Sequence, residues 1–440
     1  MIREAHVNTR TLISAPILLL FLLSTVARAE QPGPTAGGAF SLAVRPNHNF
    51  ILDFGLTMPS TSESVLGVHH AVSSLEEKLI GRKWFEEKSF LGKTGGILLR
   101  LAKLYLFDLP QDYFPVVFAH EFSGHGARYR EFGIDDVDYG YDWPPPYGPG
   151  GGQASATLSG VQVSVHEHLA IWLGGLESQA VMNRMLTLDW MERGAIRYRE
   201  ASLFCWSTQI AWNYVMGSEE SLQEGHHPND LEAYVRLLNQ SYGHLEPDQY
   251  PMNIRRLKSK WWLNAANPFF FVTLWDLVKT YLWDGGEMTT LPMIPVFGAG
   301  YLPALRTGLT PFGVEYHFEN YLKNGSRVYM LDIRVGDNSY VKSWAGAGLL
   351  VRNLHHTRAI SLDLSLDLWK QPAIQLEGKP GIPPGSQLGG AASVRGYYNF
   401  RTPSFPLHAV LALGFKSAGF LEGHRLGSGL IFQFGLGIGD

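Results

Sequence analysis

The sequence predicts an α+β chain, with a helical region followed by a C-terminal antiparallel β-barrel of about eight strands. Three observations carry this expectation. Apolar residues recur at intervals of three and four through residues 97–109, 114–132, 163–193, 196–217 and 268–283, the spacing that gathers them on one face of a helix. Past about Leu291 the interval changes to two. Between 360 and 368, Leu362, Leu364, Leu366 and Leu368 fall on one face, with Ser361, Asp363, Ser365 and Asp367 on the other. The composition agrees: 48 glycines, 12% aromatic and only 17% charged residues suit a turn-rich β-structure or a chain in contact with lipid.

The elements divide the chain in order. Arg3 and Arg10 precede an apolar run that ends at Ala27-Arg28-Ala29, so residues 1–29 read as a secretory signal peptide. Residues 30–75 read as a leader with short strands, 76–290 as the helical region and 291–440 as the barrel. Residues 139–160 interrupt the helical pattern with a proline run and a glycine run, and read as a long loop, a lid or a binding edge. The barrel strands alternate small or charged residues with large apolar ones, and aromatics such as Tyr316, Tyr340, Trp369 and Tyr398 lie towards strand ends. That pattern points to outer-membrane lipid as a partner, with the helical region in the periplasm. A soluble sandwich or lipocalin-like barrel is the other reading of the same alternation. Trp261-Trp262, after Arg255, Arg256, Lys258 and Lys260, reads as an interfacial anchor.

The charge balance excludes one class of partner. Thirty-six basic and 40 acidic residues give a net charge of −4, without the basic excess that a nucleic-acid duplex demands. The one cysteine, Cys205, has no partner in the chain for a disulfide and reads as a buried small hydrophobe.

Chemistry concentrates in one helix. His120, Glu121 and His125 stand in an otherwise apolar stretch, where unpaired polar groups are costly. In a regular helix of 3.6 residues a turn, residues five apart are about 500° apart, or about 140° off a common face, so His120 and His125 would not meet. Three readings follow. A one-residue π-bulge at Ser123-Gly124 brings both imidazoles to one side. Alternatively Glu121 and His125, four apart, are the ligands. Or there is no metal, and the residues form a buried polar cluster.

The stretch resembles the His-Glu-x-x-His helix of zinc hydrolases, with one residue added. With Ser123 as the insertion, His120, Glu121, Gly124, His125 and Gly133-Ile134 are similar to the active-site helix of the site-2 protease family, and Asp284-Gly285 to that family's later Asp-Gly. That resemblance implies a zinc site with Glu121 as general base. A third ligand is then required. Glu177, on a later helix beside Gly174-Gly175, resembles the glutamate ligand of gluzincins. His166, His168 and Asp284 are the alternatives. The paired glycines would let that helix pack closely on the first. Arg128 or His166 would face a developing oxyanion. His226-His227 is a weaker metal candidate, and Asp230 reads as a helix cap.

The expected function is therefore an envelope-located metal-dependent hydrolase, a zinc metallopeptidase with metal ligands His120, His125 and Glu177. Iron held by the same ligands is an alternative, and so is an amphiphilic substrate in place of a peptide. The rival reading is a non-enzymatic outer-membrane scaffold whose polar helix is structural.

Overall fold

The computed structural model describes residues 48–80, 90–157, 160–219, 229–243, 252–338, 341–400 and 407–438. The expected signal peptide and His226-His227 lie outside the described residues. Strand β1 (His48–Leu52) leads into α1 (Met58–Ile80). Then come α2 (Phe90–Lys103), α3 (Leu109–Phe118), α4 (Gly126–Glu131) and a hairpin of β2 (Val137–Tyr141) and β3 (Gly152–Ala156). Next are α5 (Val165–Arg193), β4 (Ala195–Arg197), α6 (Tyr198–Gly217), α7 (Asp230–Tyr242), α8 (Ile254–Trp261), α9 (Pro268–Trp275) and β5 (Met288–Thr290). Three π-helical stretches, Leu104–Asp108, Ala119–His125 and Asp276–Trp283, adjoin α2, α3 and α9. Helix thus begins at Met58, where the sequence suggested leader, and the stretch expected to be a loop holds the β2–β3 hairpin. Trp261 is buried and Trp262 exposed.

Local chemistry sets the helix ends. The Ser164 hydroxyl accepts from the Glu167 N–H, and the Glu167 carboxylate accepts from the Ser164 N–H at 2.6 Å, so α5 starts at a reciprocal cap. It stops at Gly194, whose φ of 76° is left-handed. Asn229 and Glu232 form the same kind of cap on α7. Asn229, and not Asp230, is therefore the capping residue.

Ten strands form one antiparallel sheet in the order β1-β14-β13-β12-β11-β10-β9-β8-β7-β6. Its strands are β6 (Ile294–Val296), β7 (Ala299–Thr310), β8 (Gly313–Asn324), β9 (Arg327–Asn338), β10 (Val341–His356), β11 (Ile360–Pro372), β12 (Ser386–Asn399), β13 (Leu407–Lys416) and β14 (Gly429–Ile438), with β1. Eight of them, β7 to β14, are long, in line with the strand count read from the sequence. The sheet is not closed into a barrel, which corrects that expectation. Alternation fixes which way side chains point but not the shear that closes a sheet.

Helical side chains take over at the open edges. On β1 the Ile51 N–H donates to Ser64 Oγ, and that hydroxyl donates to the Ile51 carbonyl, both at 2.9 Å. On β7 the Thr307 N–H donates to Asn264 Oδ1 at 2.7 Å, and Asn264 Nδ2 donates to the Thr307 carbonyl at 3.2 Å. Each side chain supplies the donor–acceptor pair that another strand would have given.

The inner face of the sheet packs on α1 and α5. One apolar core runs through both regions, joining Met182, Leu186 and Trp190 of α5 and Phe204 of α6 to Leu302, Tyr321 and Met330 of the sheet. Ion pairs cross the same boundary. Arg395 meets Glu63 at 2.6 Å, Arg352 meets Asp189 at 2.6 Å, and Arg184 meets Glu319 at 3.3 Å. Between these elements lies a cavity of about 580 Å³ whose lining mixes charged residues such as Arg184, Asp332, Arg334 and Arg395 with apolar ones such as Leu66, Met185 and Leu188.

Candidate metal centre

The segment that follows α3 places the motif. Through Ala119–His125 the helix is π-helical, and the Gly126 N–H donates to the Glu121 carbonyl, a step of five residues. That step brings His120 and His125 to one side, with ring centroids 5.0 Å apart. Widening the turn requires room and partners, and α5 provides both. A Cβ on Gly124 would lie 2.5 Å from the Gly174 carbonyl oxygen and 2.8 Å from Gly175 Cα, so only glycine allows the two backbones to approach so closely. The Ser178 hydroxyl donates to the Ala119 carbonyl at 2.6 Å, satisfying an acceptor at the start of the distorted turn.

The hydrogen bond at His125 decides its tautomer. Its Nδ1 lies 2.7 Å from the Ile171 carbonyl, which can only accept, so Nδ1 carries the proton. Nε2 is then the ring atom left to meet a cation or a second proton; it is buried without a hydrogen-bond partner, 3.3 Å from Asp230 Oδ2. Two lone-pair-bearing atoms at that separation repel unless a cation or a second proton stands with them. Nδ1 of His120 is likewise buried without a partner. One ligand atom from each of His120, His125 and Asp230 lies within 4.8 Å of the other two. Roughly 2.0–2.2 Å arms to a single ion require a small contraction of that triangle. Burial, and then the neighbouring His125, lower the His120 imidazole to a pKa of about 4, which keeps it neutral and able to ligate.

Asp230 is held from behind. The Tyr214 hydroxyl donates to Asp230 Oδ2 at 2.9 Å and also lies 3.0 Å from the Asp230 N–H. The Tyr214 ring packs edge-on against His120 at 5.7 Å. Such supports orient ligands in metal sites. Glu121 is 5% exposed and lies against β3, since a Cβ on Gly152 would stand 2.9 Å from its Oε1. Burial pushes its carboxyl up to about 7 against the opposing pull of His125. Tyr129, one turn beyond His125, has its phenol raised by burial and then by Asp230 and Glu121.

The other residues singled out in the sequence are engaged elsewhere. Glu177 pairs with the buried Arg128, which donates from Nε at 3.1 Å, and accepts from the Gly423 N–H at 2.7 Å. It stands outside the His120–His125–Asp230 group, and Arg128, further bound to Glu131 at 2.7 Å, is spent on structure. His166 Nε2 pairs with the Tyr242 hydroxyl at 3.0 Å, and its Nδ1 accepts from the Gln375 N–H at 2.9 Å. His168 Nδ1 returns to the Ser164 carbonyl at 3.2 Å. Asp284 pairs with Lys279 at the surface. The carboxylate that groups with the two imidazoles is not that of Glu177 but that of Asp230. An acidic residue at the first position of a helix, just after its cap, was the signal for it, but the sequence read that residue as the cap itself. Cys205 donates to Thr273 Oγ1 at 3.2 Å, and burial raises its thiol to about 12.

A second acidic and histidine group, His317, Glu319 and Asp332, lies inside the sheet. Arg306 meets Glu319 at 2.7 Å, and Arg184 meets Glu319 at 3.3 Å and Asp332 at 4.0 Å, so its charges are already compensated. Of the two groups, only the first has imidazole nitrogens without a hydrogen-bond partner beside a carboxylate. Two imidazoles and one carboxylate form a donor set suited to zinc or ferrous iron, and three protein ligands leave a position open. No family model, no curated protein and no solved structure matches this chain.

Proposed function

We propose that the chain is a metal-dependent hydrolase whose metal is held by His120, His125 and Asp230, with Glu121 as its proton-transferring residue. The observation that carries this reading is the unpartnered Nε2 of His125 facing the Asp230 carboxylate at 3.3 Å, with the unpartnered Nδ1 of His120 in the same group. A divalent metal there supplies Lewis acidity at neutral pH. The chain's own residues do the rest. Glu121 neighbours the ligands in the motif and faces the hairpin strand, where it accepts a proton from an attacking water and returns it to the leaving group. The Ile171 carbonyl and Tyr214 hold His125 and Asp230 in their ligating orientations. Tyr129, in place of Arg128 or His166, offers a hydroxyl to developing negative charge.

A peptide bond is the substrate we expect first. An acyl or other amphiphilic substrate is favoured by a separate observation, the aromatic shelf beside Glu121. Phe118 stacks on Phe122 at 4.8 Å and on Tyr141 at 6.4 Å, and Phe118, Tyr141, Trp143 and Tyr147 are all exposed.

Metal analysis of the purified chain tests the reading. About one zinc or iron per chain is expected, lost in His120→Ala and Asp230→Ala and retained in Glu121→Gln. Glu121→Gln should abolish hydrolysis of a panel of peptide and ester substrates. Absence of bound metal in the unaltered protein, or full retention in Asp230→Ala, overturns the proposal.

A further inference from the structure

The sheet is inside out for a protein surrounded by water. On its inner face stand Glu319, Asp332, Arg334, Asp363 and Gln433, all buried. On its outer face stand Phe318, Ile333, Leu366, Leu413 and Phe434, all exposed. The inversion holds along whole strands. In β9 Asp332 and Arg334 are buried while Leu331, Ile333 and Val335 are exposed, and in β14 Gln433 is buried between exposed Phe432 and Phe434. An exposed apolar surface running across eight long strands far exceeds the few hundred Å² that a soluble monomer tolerates.

Three further features agree with one occupant. Long strands of 10 to 16 residues reach the roughly 9–11 residues that a tilted strand needs to cross hydrocarbon. Asn320, an outward-facing amide, is satisfied by its own sheet. It accepts from the Tyr301 hydroxyl at 2.7 Å, and its Nδ2 donates to the carbonyls of Phe318 at 3.1 Å and Leu331 at 3.3 Å. Lastly, the open edges do not depend on water where Ser64 and Asn264 serve the backbone. Helix α1, which covers the β1 edge, carries Val68, Val72, Leu75 and Leu79 exposed at helical spacing and so continues the apolar surface beyond the last strand.

We infer that the outer face of the sheet, together with the exposed stripe of α1, is seated in the hydrocarbon of a lipid bilayer. The open edge of the sheet is sealed within that bilayer by a helix instead of a closing strand. A second copy of the chain is the competing occupant. It fits less well, because a single isologous contact covers one patch and this surface runs across all eight long strands.

The test uses the full chain in vesicles of phosphatidylcholine and phosphatidylglycerol. In a Cys205→Ser background, nitroxide labels are placed at Ile333→Cys, Leu366→Cys and Leu413→Cys on the outer face, and at Ser365→Cys and Ser393→Cys, which line the cavity. Outer-face labels should be reached by oxygen and shielded from a water-soluble nickel chelate, and cavity labels should show the reverse preference. Leu366→Arg should shift the chain about thirtyfold or more towards the aqueous fraction on flotation. Nickel access to the outer-face labels, or failure of the unaltered chain to float with vesicles, overturns the inference. Shielding from both reagents with spin–spin broadening also overturns it, in favour of a second copy.

Discussion

The sharpest test of the site geometry adds a single methyl group at either of two glycines. At Gly124 the new Cβ would lie 2.5 Å from the Gly174 oxygen, 2.6 Å from its carbonyl carbon and 2.8 Å from Gly175 Cα. Carbon contacts settle near 3.5–4.0 Å, so the backbones of α5 and the π-helical turn must part by roughly 1 Å. Neither side of this contact is a flexible side chain. Alanine gains about 1 kcal/mol of helix propensity over glycine. Overpacking against rigid backbone costs about 1–3 kcal/mol, occasionally more, and the upper end applies where neither partner can yield. With two backbones displaced, Gly124→Ala should be destabilised by a net of about 2 kcal/mol in urea unfolding. Gly175→Ala is different, because its methyl would fall within the imidazole of His120. A ring can turn away, so the fold should survive while metal affinity drops about 10- to 100-fold. Urea titration and metal competition on the two variants separate these outcomes. A Gly124→Ala protein as stable as the parent, or a Gly175→Ala protein with unchanged metal affinity, would refute the close approach and the ligand role of His120 respectively.

Two further outcomes follow from groups outside the proposed metal centre. Glu177→Gln removes the partner of a buried arginine and should cost about 3–5 kcal/mol in urea unfolding. Metal content should not change, and a loss of metal would restore Glu177 as a ligand. Asp276 is fully buried, and its carboxyl is pushed up by burial to about 7 from an ordinary 3.8. Between those pH values the folded chain keeps a proton that the unfolded chain has released, so this group makes stability fall as pH rises through that window. Asp276→Asn should therefore be more stable than the parent at pH 8 and nearly equal to it at pH 4. An equal difference at both pH values would contradict this.

What the sequence reveals of this molecule depends on whether the information is local. The alternation at 360–368 fixes which side chains of β11 face inward, and Ser361 and Asp363 are indeed buried there, because period two is a property of one strand. The extra residue in the His120–His125 motif likewise points to a widened turn near Ser123-Gly124, and the chain is π-helical across it. Gly174-Gly175 predicts a close approach to that helix, which the backbone contact at Gly124 displays. Closure of the sheet was not legible, because it depends on how β1 and β7 meet elements far away in sequence. Nor was the third member of the site. Glu177 has the right chemistry and lies on the helix that packs against the motif, but its carboxylate faces Arg128, a preference set by tertiary contacts. Asp230 reaches the histidines because the cap of α7 is Asn229, which leaves the next side chain free to turn towards them.

Helix α5 ties these features together. Its 29 residues serve two environments. Its first half supplies the Ile171 carbonyl that sets the His125 tautomer and the glycines that admit the distorted turn. Its second half enters the inner face of the sheet, where Arg184 meets Glu319 and Asp189 meets Arg352. The loop between β13 and β14 closes the circuit. The Gly423 N–H binds Glu177, the His424 carbonyl accepts from Arg128, and Glu422 pairs with both Arg306 and Arg184. A helix buried at both ends cannot shift against the sheet without breaking several charged contacts at once, each costly to leave unpaired. The inverted sheet therefore acts as the fixed frame of the proposed metal centre. Its polar interior, which would be a liability against an apolar core, is the surface that holds the site-bearing helix in register.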